Sequence, residues 1–166
     1  MFAITSEKLE GLDCIYCGDR ATCRDHVVPF CYDNFTKVRG YWDYNSENVV
    51  PCCQSCNGHL GSMYLPSIAE RAQHLANELS RQSKKILKSP DWTSAELKEL
   101  SGSLRKTVQA MQIKKNLIRE RLSHMQSMAD NTGLSAKDYW DIMIDEKGLV
   151  LIELQSLDGV VVEPQV

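Results

Sequence analysis

Apolar side chains recur at three- and four-residue steps through the middle of the chain, which is the period of an amphipathic helix. Residues 66–88 follow this period, and Pro66 suits a helix start because proline is tolerated in the first turn. A longer stripe runs over residues 93–130, opened by a capping box between Thr93 and Glu96. We expect this stripe to form one helix of about 36 residues, roughly 54 Å long.

The stripe of the long helix needs a partner, because an apolar face of that length must be covered. Two partners could cover this face: residues 66–88 in a helical hairpin, or a second copy of the chain. Because closed two-fold dimers are the commonest oligomers, we predict a homodimer formed mainly by residues 93–130. The stripe consists of Leu97, Leu100, Leu104, Met111, Ile118, Leu122, Met125 and Ala129, and Lys115 interrupts it.

Two short strand patterns precede the helices. Residues 21–28 and 48–52 have the composition of short strands, and a helix is expected to begin near residues 53–57. Residues 30–47, between the two strands, form a polar loop with several aromatic side chains. The N-terminal part of the chain is therefore predicted to be mixed, with two strands and a helix.

The C-terminal part, residues 131–166, predicts a small helix and a β-hairpin. Ser135 is a suitable N-cap for a helix over residues 135–145. Residues 149–154 and 160–163 are β-rich and are separated by a Ser-Leu-Asp-Gly turn. We assign no chemistry to this part and interpret it as a packing or assembly element.

The cysteine spacing predicts a structural metal site. Zn²⁺ prefers four thiolate or imidazole ligands in a tetrahedron, and two C-x2-C turns supply four sulfurs. The pairs are separated by 35 residues, so the metal would clamp a loop. A set of buried free cysteines is the alternative. Cys52 could replace Cys53 as a ligand, and Cys23 and Cys31 are expected to be thiols. The predicted ligands are Cys14, Cys17, Cys53 and Cys56.

The clamped loop carries an adjacent acid and base, Asp25 and His26. A neutral imidazole can take a proton from water near neutral pH. A carboxylate is a hard oxygen ligand suited to Mg²⁺ or Mn²⁺. Neighbouring side chains of a strand point to opposite sides. Asp25 and His26 can therefore act on one phosphate only if the metal and the base lie on either side of that phosphate, or if the strand twists at this point.

The order of these motifs resembles the HNH endonucleases, in their zinc-stabilised H-N-N form. The order is C-x2-C, then Asp-His-x2-Pro, Glu-Asn-x2-Pro and C-x2-C-Asn, over about 50 residues in the first third of the chain. The resemblance implies a zinc-bound ββα-metal unit. It also implies that His26 is the general base and that Asp25 and Asn57 bind catalytic Mg²⁺ or Mn²⁺. Asn48 would brace the turn between the second strand and the helix and so fix the loop that holds His26.

One position departs from the family pattern. Many members have Lys-Gly after the last motif residues, as in C-N-x2-K-G, and here Leu60 occupies the lysine position. This removes one candidate phosphate contact and leaves the catalytic set intact. We interpret His59 as a phosphate contact or a surface residue and not as a metal ligand.

Composition and charge limit the possible cellular locations and ligands of the chain. The chain has 166 residues, and no apolar run approaches the ~18 residues of a membrane span. We expect no signal peptide, and C-x2-C cysteines without one indicate a reducing, cytoplasmic location. The net charge is −3 overall but +5 over residues 63–130. That basic middle could contact DNA phosphates or be a solvated helix face. The basic residues of its long helix are Arg105, Lys106, Lys114, Lys115, Arg119 and Arg121.

Together these observations predict an α+β chain in three parts. Residues 1–62 form the zinc-bound nuclease unit, residues 63–130 a helical extension, and residues 131–166 a small C-terminal helix with a β-hairpin. The expected function is metal-dependent hydrolysis of phosphodiester bonds in DNA. Two alternatives stay open: a zinc-stabilised nucleic-acid- or protein-binding module without catalysis, and a structural or regulatory oligomer.

Overall fold

A computed structural model describes Leu9, residues 11–28 and residues 48–147, with residues 143–147 as backbone only. The aromatic loop 30–47 and the β-rich segments 149–154 and 160–163 lie outside the described residues. The described part of the chain is a mixture of helices and one small two-stranded sheet, which is consistent with the α+β prediction. The elements are β1 (Cys23–His26), β2 (Val49–Cys52), α1 (Gln54–Leu60), α2 (Ile68–Leu87), α3 (Ser94–Glu99), α4 (Gly102–Asp130) and α5 (Ala136–Lys147).

The sheet pairs β1 with β2 in antiparallel register. Asp25 lies opposite Val50, and His26 lies opposite Val49. The carbonyl of Pro51 points away from β1 and accepts a hydrogen bond from the Ile15 N–H at 3.1 Å. Because the N–H and carbonyl of a strand residue point to the same side, the missing N–H of Pro51 breaks no hydrogen bond to β1. The segment before β1 therefore packs beside β2, and both strands are shorter than the sequence windows that predicted them.

Helices α1 and α2 cover one face of this sheet. Leu60 of α1 and Ile68 and Leu75 of α2 are buried in the same apolar cluster as Val50. Ser67 is the N-cap of α2, and its hydroxyl accepts a hydrogen bond from the Glu70 N–H at 3.1 Å. The predicted helix is therefore confirmed, with its first residue two positions after the proline expected to begin it.

The long stripe forms two helices, so the prediction of one continuous helix is wrong. The capping box of Thr93 and Glu96 is present, but it opens only the short helix α3. Leu100 and Ser101 are extended, and α4 begins at Gly102. Serine favours the N-cap and glycine is a poor helix former, so this pair separates the helices although the apolar period continues across it.

Helices α2 and α4 pack along each other as a hairpin within one chain. This is one of the two coverings expected for the apolar stripe. Lys115, which interrupts the stripe, is only 2 % exposed. Its ammonium donates to the Ser89 carbonyl at 2.5 Å and pairs with Asp91 at 2.8 Å. The turn between the hairpin helices therefore supplies the polar partners that a buried lysine requires.

Helix α5 attaches to the other face of the sheet. Ser135 caps it, since its hydroxyl accepts a hydrogen bond from the Asp138 N–H at 3.1 Å. The indole of Trp140 is 1 % exposed and donates to the Val49 carbonyl at 2.7 Å. Trp140 and Val49 share a second apolar cluster with Leu9, Leu12 and Ala21. None of the helices in the described part of the chain is long and apolar enough to cross a membrane.

Candidate functional site

Four buried cysteines form a cluster that could hold a structural metal ion such as zinc. Their sulfur atoms all lie within 4.8 Å of one another. The Cys17 and Cys53 sulfurs are 3.7 Å apart, close to the edge of about 3.8 Å in a tetrahedron with Zn–S bonds of about 2.3 Å. The predicted ligand set is therefore brought together, and the cluster contains Cys53 and not Cys52. Its members are Cys14, Cys17, Cys53 and Cys56.

Local backbone structure aims these sulfurs at one point. In the first turn, the Gly18 N–H donates to the Cys14 carbonyl at 2.9 Å, and Gly18 has the positive φ of 75° that favours glycine. In the second turn, Cys53 is the N-cap of α1, and its sulfur accepts a hydrogen bond from the Cys56 N–H at 3.4 Å. Each C-x2-C pair is thus fixed by its own turn.

The close approach of four thiols also changes their protonation. Hydrogen bonds from Cys14, and then from Cys17 and Cys56, lower the pKa of Cys53. The pKa of Cys56 is raised, first by its hydrogen bond with Cys14. Thiols bind a divalent metal ion as thiolates, so the protons of these four thiols matter for metal binding. A divalent metal would replace those protons, so its binding couples to folding and to pH.

Helix α4 contacts the first cysteine turn. Arg121 donates to the Cys17 sulfur at 3.8 Å and pairs with Asp19 at 3.2 Å. The His124 ring lies 3.0 Å from the Ile15 carbonyl. A tetrathiolate site with a divalent metal has a net negative charge, which the guanidinium partly balances. The sequence pattern missed both roles, since 104 residues separate Arg121 from Cys17.

Asp25 lies in a buried ion pair. Its Oδ1 accepts a hydrogen bond from Arg71 Nη2 at 2.7 Å, and its Oδ2 accepts one from Arg71 Nε at 2.8 Å. The Tyr16 hydroxyl also donates to Oδ2, at 2.5 Å. Burial and then the charge of Asp25 raise the pKa of Tyr16. The contacts described for Asp25 are thus with protein groups, and its role as a cation ligand stays a prediction.

Sequence reasoning missed Tyr16 and Arg71, although each leaves a signal. Tyr16 lies inside the first C-x2-C turn, between Cys14 and Cys17. Arg71 occupies the apolar face of α2, three residues after Ile68 and four before Leu75. A charged residue on a buried helix face requires a partner of opposite charge.

His26 and Asp25 point to opposite faces of the sheet. Side chains alternate along a strand, and directly paired residues share a face, so His26 shares a face with Val49. Asp25 shares the face of Val50, which α1 and α2 cover. His26 is half-buried. The alternation expected from the sequence is therefore present in β1.

Asn48 braces the segment directly after β1. Its Oδ1 accepts a hydrogen bond from the Val28 N–H at 2.8 Å, and its Nδ2 donates to the Val28 carbonyl at 3.1 Å. The Val27 N–H donates to the Asn48 carbonyl at 2.9 Å. The brace lies at the start of β2, so its expected position between β2 and α1 is wrong. It nevertheless holds the chain two residues from His26.

Helix α1 carries the remaining motif residues. Asn57 is half-buried, and His59 is exposed in the last turn, as expected of a surface residue. Leu60, at the position where many HNH enzymes have lysine, is fully buried in the core cluster. Leucine is therefore a packing residue here, and a lysine at this position would have to bury its charge.

Most of the basic residues of α4 have partners within the chain. Arg119 forms two hydrogen bonds of 3.0 Å with Asp91, and Arg105 donates to the carbonyls of Lys98 and Leu100. Arg121 and Lys115 contact the groups described above. Lys106 and Lys114 are exposed. Pairing within the chain therefore leaves less of the positive charge of α4 available for an external ligand than its sequence indicated.

No family model, curated protein or solved structure matches the chain. The resemblance to HNH endonucleases therefore rests on the motif residues of the sequence, and it stays a prediction.

Proposed function

We propose that the chain is a metal-dependent DNA endonuclease that hydrolyses phosphodiester bonds. The observation that carries the proposal is the brace of Asn48 on Val28, directly after the strand that ends with His26. The same sheet leads into α1, which carries Asn57 and two of the clustered cysteines. This order of base, bracing asparagine and helix asparagine is the one that the motif implies.

In this proposal His26 is the general base. Its imidazole takes a proton from water, and the hydroxide attacks phosphorus in line with the 3′ oxygen, which leaves. A Mg²⁺ or Mn²⁺ ion bound by Asn57 and Asp25 would stabilise the charge that develops on the phosphate and on the leaving oxygen. The cysteine cluster takes no part in the reaction and holds β1, β2 and α1 together.

The ion pair limits what Asp25 can offer a cation. Oδ2 already accepts hydrogen bonds from Tyr16 and Arg71, whereas Oδ1 accepts one, from Arg71. A carboxylate oxygen can accept more than one bond, so Oδ1 is the atom left for a metal. The nearby guanidinium would repel the ion, which makes Asn57 the more important of the two ligands.

A second candidate is a zinc-stabilised nucleic-acid-binding module without catalysis. The buried ion pair favours it, because Asp25 then serves the fold and a cation site is not needed. The two functions differ in one observable property. A binding module retards DNA on a gel in the presence of Mg²⁺ and leaves it uncut.

The test is incubation of the purified protein with plasmid DNA and Mg²⁺ or Mn²⁺, with EDTA as the control. We expect His26→Ala to lower the rate about 10²- to 10⁴-fold, because a general base contributes that much. His74→Ala, a change at a half-buried histidine of α2 outside the motifs, is the matched control and should cut normally. Cleavage by His26→Ala at the wild-type rate would show that the assignment to this site is wrong.

The same assay separates the two proposed cation ligands. Asn57→Ala should raise the Mg²⁺ concentration needed for half-maximal cleavage. Asp25→Asn should do the same if Oδ1 binds the ion. If Asp25→Asn lowers the rate without changing the Mg²⁺ dependence, Asp25 does not bind the ion. It then affects the rate only through the structure of β1.

A further inference from the structure

Arg71 of α2 is completely buried, and its contacts converge on β1. Two of its nitrogens bind the carboxylate of Asp25, at 2.7 and 2.8 Å. Nη1 donates to the Val27 carbonyl at 2.9 Å and to the Leu65 carbonyl at 3.3 Å. One side chain thus binds the residue before His26 and the residue after it.

The geometry points to Arg71 as a positioning residue for His26. It acts through Asp25 and Val27, since the His26 side chain lies on the opposite face of the strand. Asn48 holds Val28, the next residue. The backbone on both sides of His26 is therefore fixed, by α2 from one side and by the start of β2 from the other. This inference rests on the proposed function, in which His26 is the base.

The chemistry of the contact requires arginine. A guanidinium is planar and presents donors in a rigid fork, so it can bind both carboxylate oxygens and a carbonyl together. The ammonium of lysine is a compact group on a flexible stem and cannot reproduce that fork. A buried charge also costs desolvation energy that an apolar residue avoids. Burial would lower the pKa of Arg71, but the charge of Asp25 outweighs it and raises the pKa.

The experiment compares Arg71→Lys with Arg81→Lys. Arg81 lies on the same helix, is exposed and pairs with Glu78, so the second variant makes the same change away from the strand. Cleavage is measured as kcat and KM. The four histidine rings of the chain are followed by ¹H–¹³C NMR at one pH.

We expect Arg71→Lys to keep its metal and its cooperative unfolding, and to lose about 10- to 100-fold in kcat with KM nearly unchanged, because a small misplacement of a catalytic group has that effect. The His26 ring resonances should shift, and the amide protons of Val27 and Val28 should exchange faster. Arg81→Lys should match the wild type in every measurement. An Arg71→Lys variant with wild-type kcat and an unshifted His26 ring would overturn the inference.

Two further outcomes are separable. If Arg71→Lys does not fold, Asp25→Asn removes the charge of the ion pair and leaves Arg71 and its hydrogen bond to the Val27 carbonyl in place. It should shift the His26 ring by a smaller amount, and an unshifted ring contradicts the inference. If the wild type cuts no DNA, the proposed function fails, while the NMR and exchange measurements still decide whether Arg71 positions His26.

Discussion

Cys52 and Cys53 are neighbours in the chain and both are buried, yet only Cys53 joins the four-sulfur cluster. Cys52 is the last residue of β2, and its thiol donates to the Cys53 carbonyl at 3.3 Å. Cys53 is the N-cap of α1, where the chain turns. The direction of the chain at this junction, and not the burial of either thiol, therefore selects the ligand.

This selection predicts different results for two adjacent serine substitutions. As purified, the wild type should hold about one Zn²⁺ per chain, since a closed cysteine set is typical of structural zinc. Cys53→Ser should lose the metal and unfold the N-terminal part, because metal binding contributes to the folding free energy. Cys52→Ser should keep the metal. Elemental analysis and circular dichroism measure both. A well-folded wild type without zinc, or equal losses in the two variants, would contradict the assignment.

At the scale of elements, polar contacts fix the turn that joins the two long helices. Asp91 accepts hydrogen bonds from Arg119 and pairs with Lys115, both on α4. Gln112 binds the backbone N–H and carbonyl of Trp92 at 3.1 and 2.9 Å. The segment between α2 and α4 is therefore attached along one face of α4, and the hairpin has a defined register.

The Asp91 contacts predict a pH dependence of stability. Hydrogen bonds from Arg119, and then from Lys115, lower the pKa of Asp91 from 3.8 to about 2. Because the pKa of Asp91 is lower in the folded than in the unfolded state, its carboxylate stabilises the fold above about pH 4. That contribution is lost as the pH falls from about 4 to about 2. Asp91→Asn should lower Tm near pH 6 and should lose less further stability in acid than the wild type does. Glu120→Gln, which removes a carboxylate on α4, is the matched control. Parallel Tm–pH curves for wild type and Asp91→Asn would contradict the prediction.

At the scale of the whole molecule, the hairpin covers much of the stripe that suggested a homodimer. Leu122 packs against the core of its own chain, so Leu122→Asp would report on folding and not on assembly. Four large apolar side chains of α4 remain exposed. They are Leu104, Met111, Ile113 and Leu117. The homodimer through residues 93–130 stays a prediction, and Ile113 and Leu117, which are four residues apart on α4, offer it one exposed apolar patch.

The exposed residues allow a direct test of the dimer. Light scattering at tens of micromolar should give a dimer mass for the wild type. Ile113→Asp with Leu117→Asp should give a monomer with nearly unchanged Tm, because surface changes usually alter stability by about 0.5 kcal/mol or less. Ile142→Asp replaces an exposed apolar residue on α5 and is the matched control. A monomeric wild type would mean that α4 packs only within its own chain.

The sequence by itself determined the features that depend on near neighbours. The C-x2-C spacing identified the clustered cysteines, the Thr93–Glu96 box identified the start of α3, and Ser135 identified the start of α5. Each of these signals involves residues within about one helical turn, where backbone geometry alone brings the groups together. The prediction of one continuous helix over residues 93–130 is wrong because it used only the apolar repeat. That repeat continues through the serine and glycine that interrupt the helix.

Only the tertiary structure decided which distant groups pair. Asp25 and Arg71 are 46 residues apart, and the pattern that suggested a metal ligand contains no information about a guanidinium on α2. The packing of α2 on α4 likewise depends on the relative placement of whole helices. Distant contacts form where apolar faces are covered and where buried charges find partners. Sequences with the same local periodicity can meet both requirements through different contacts.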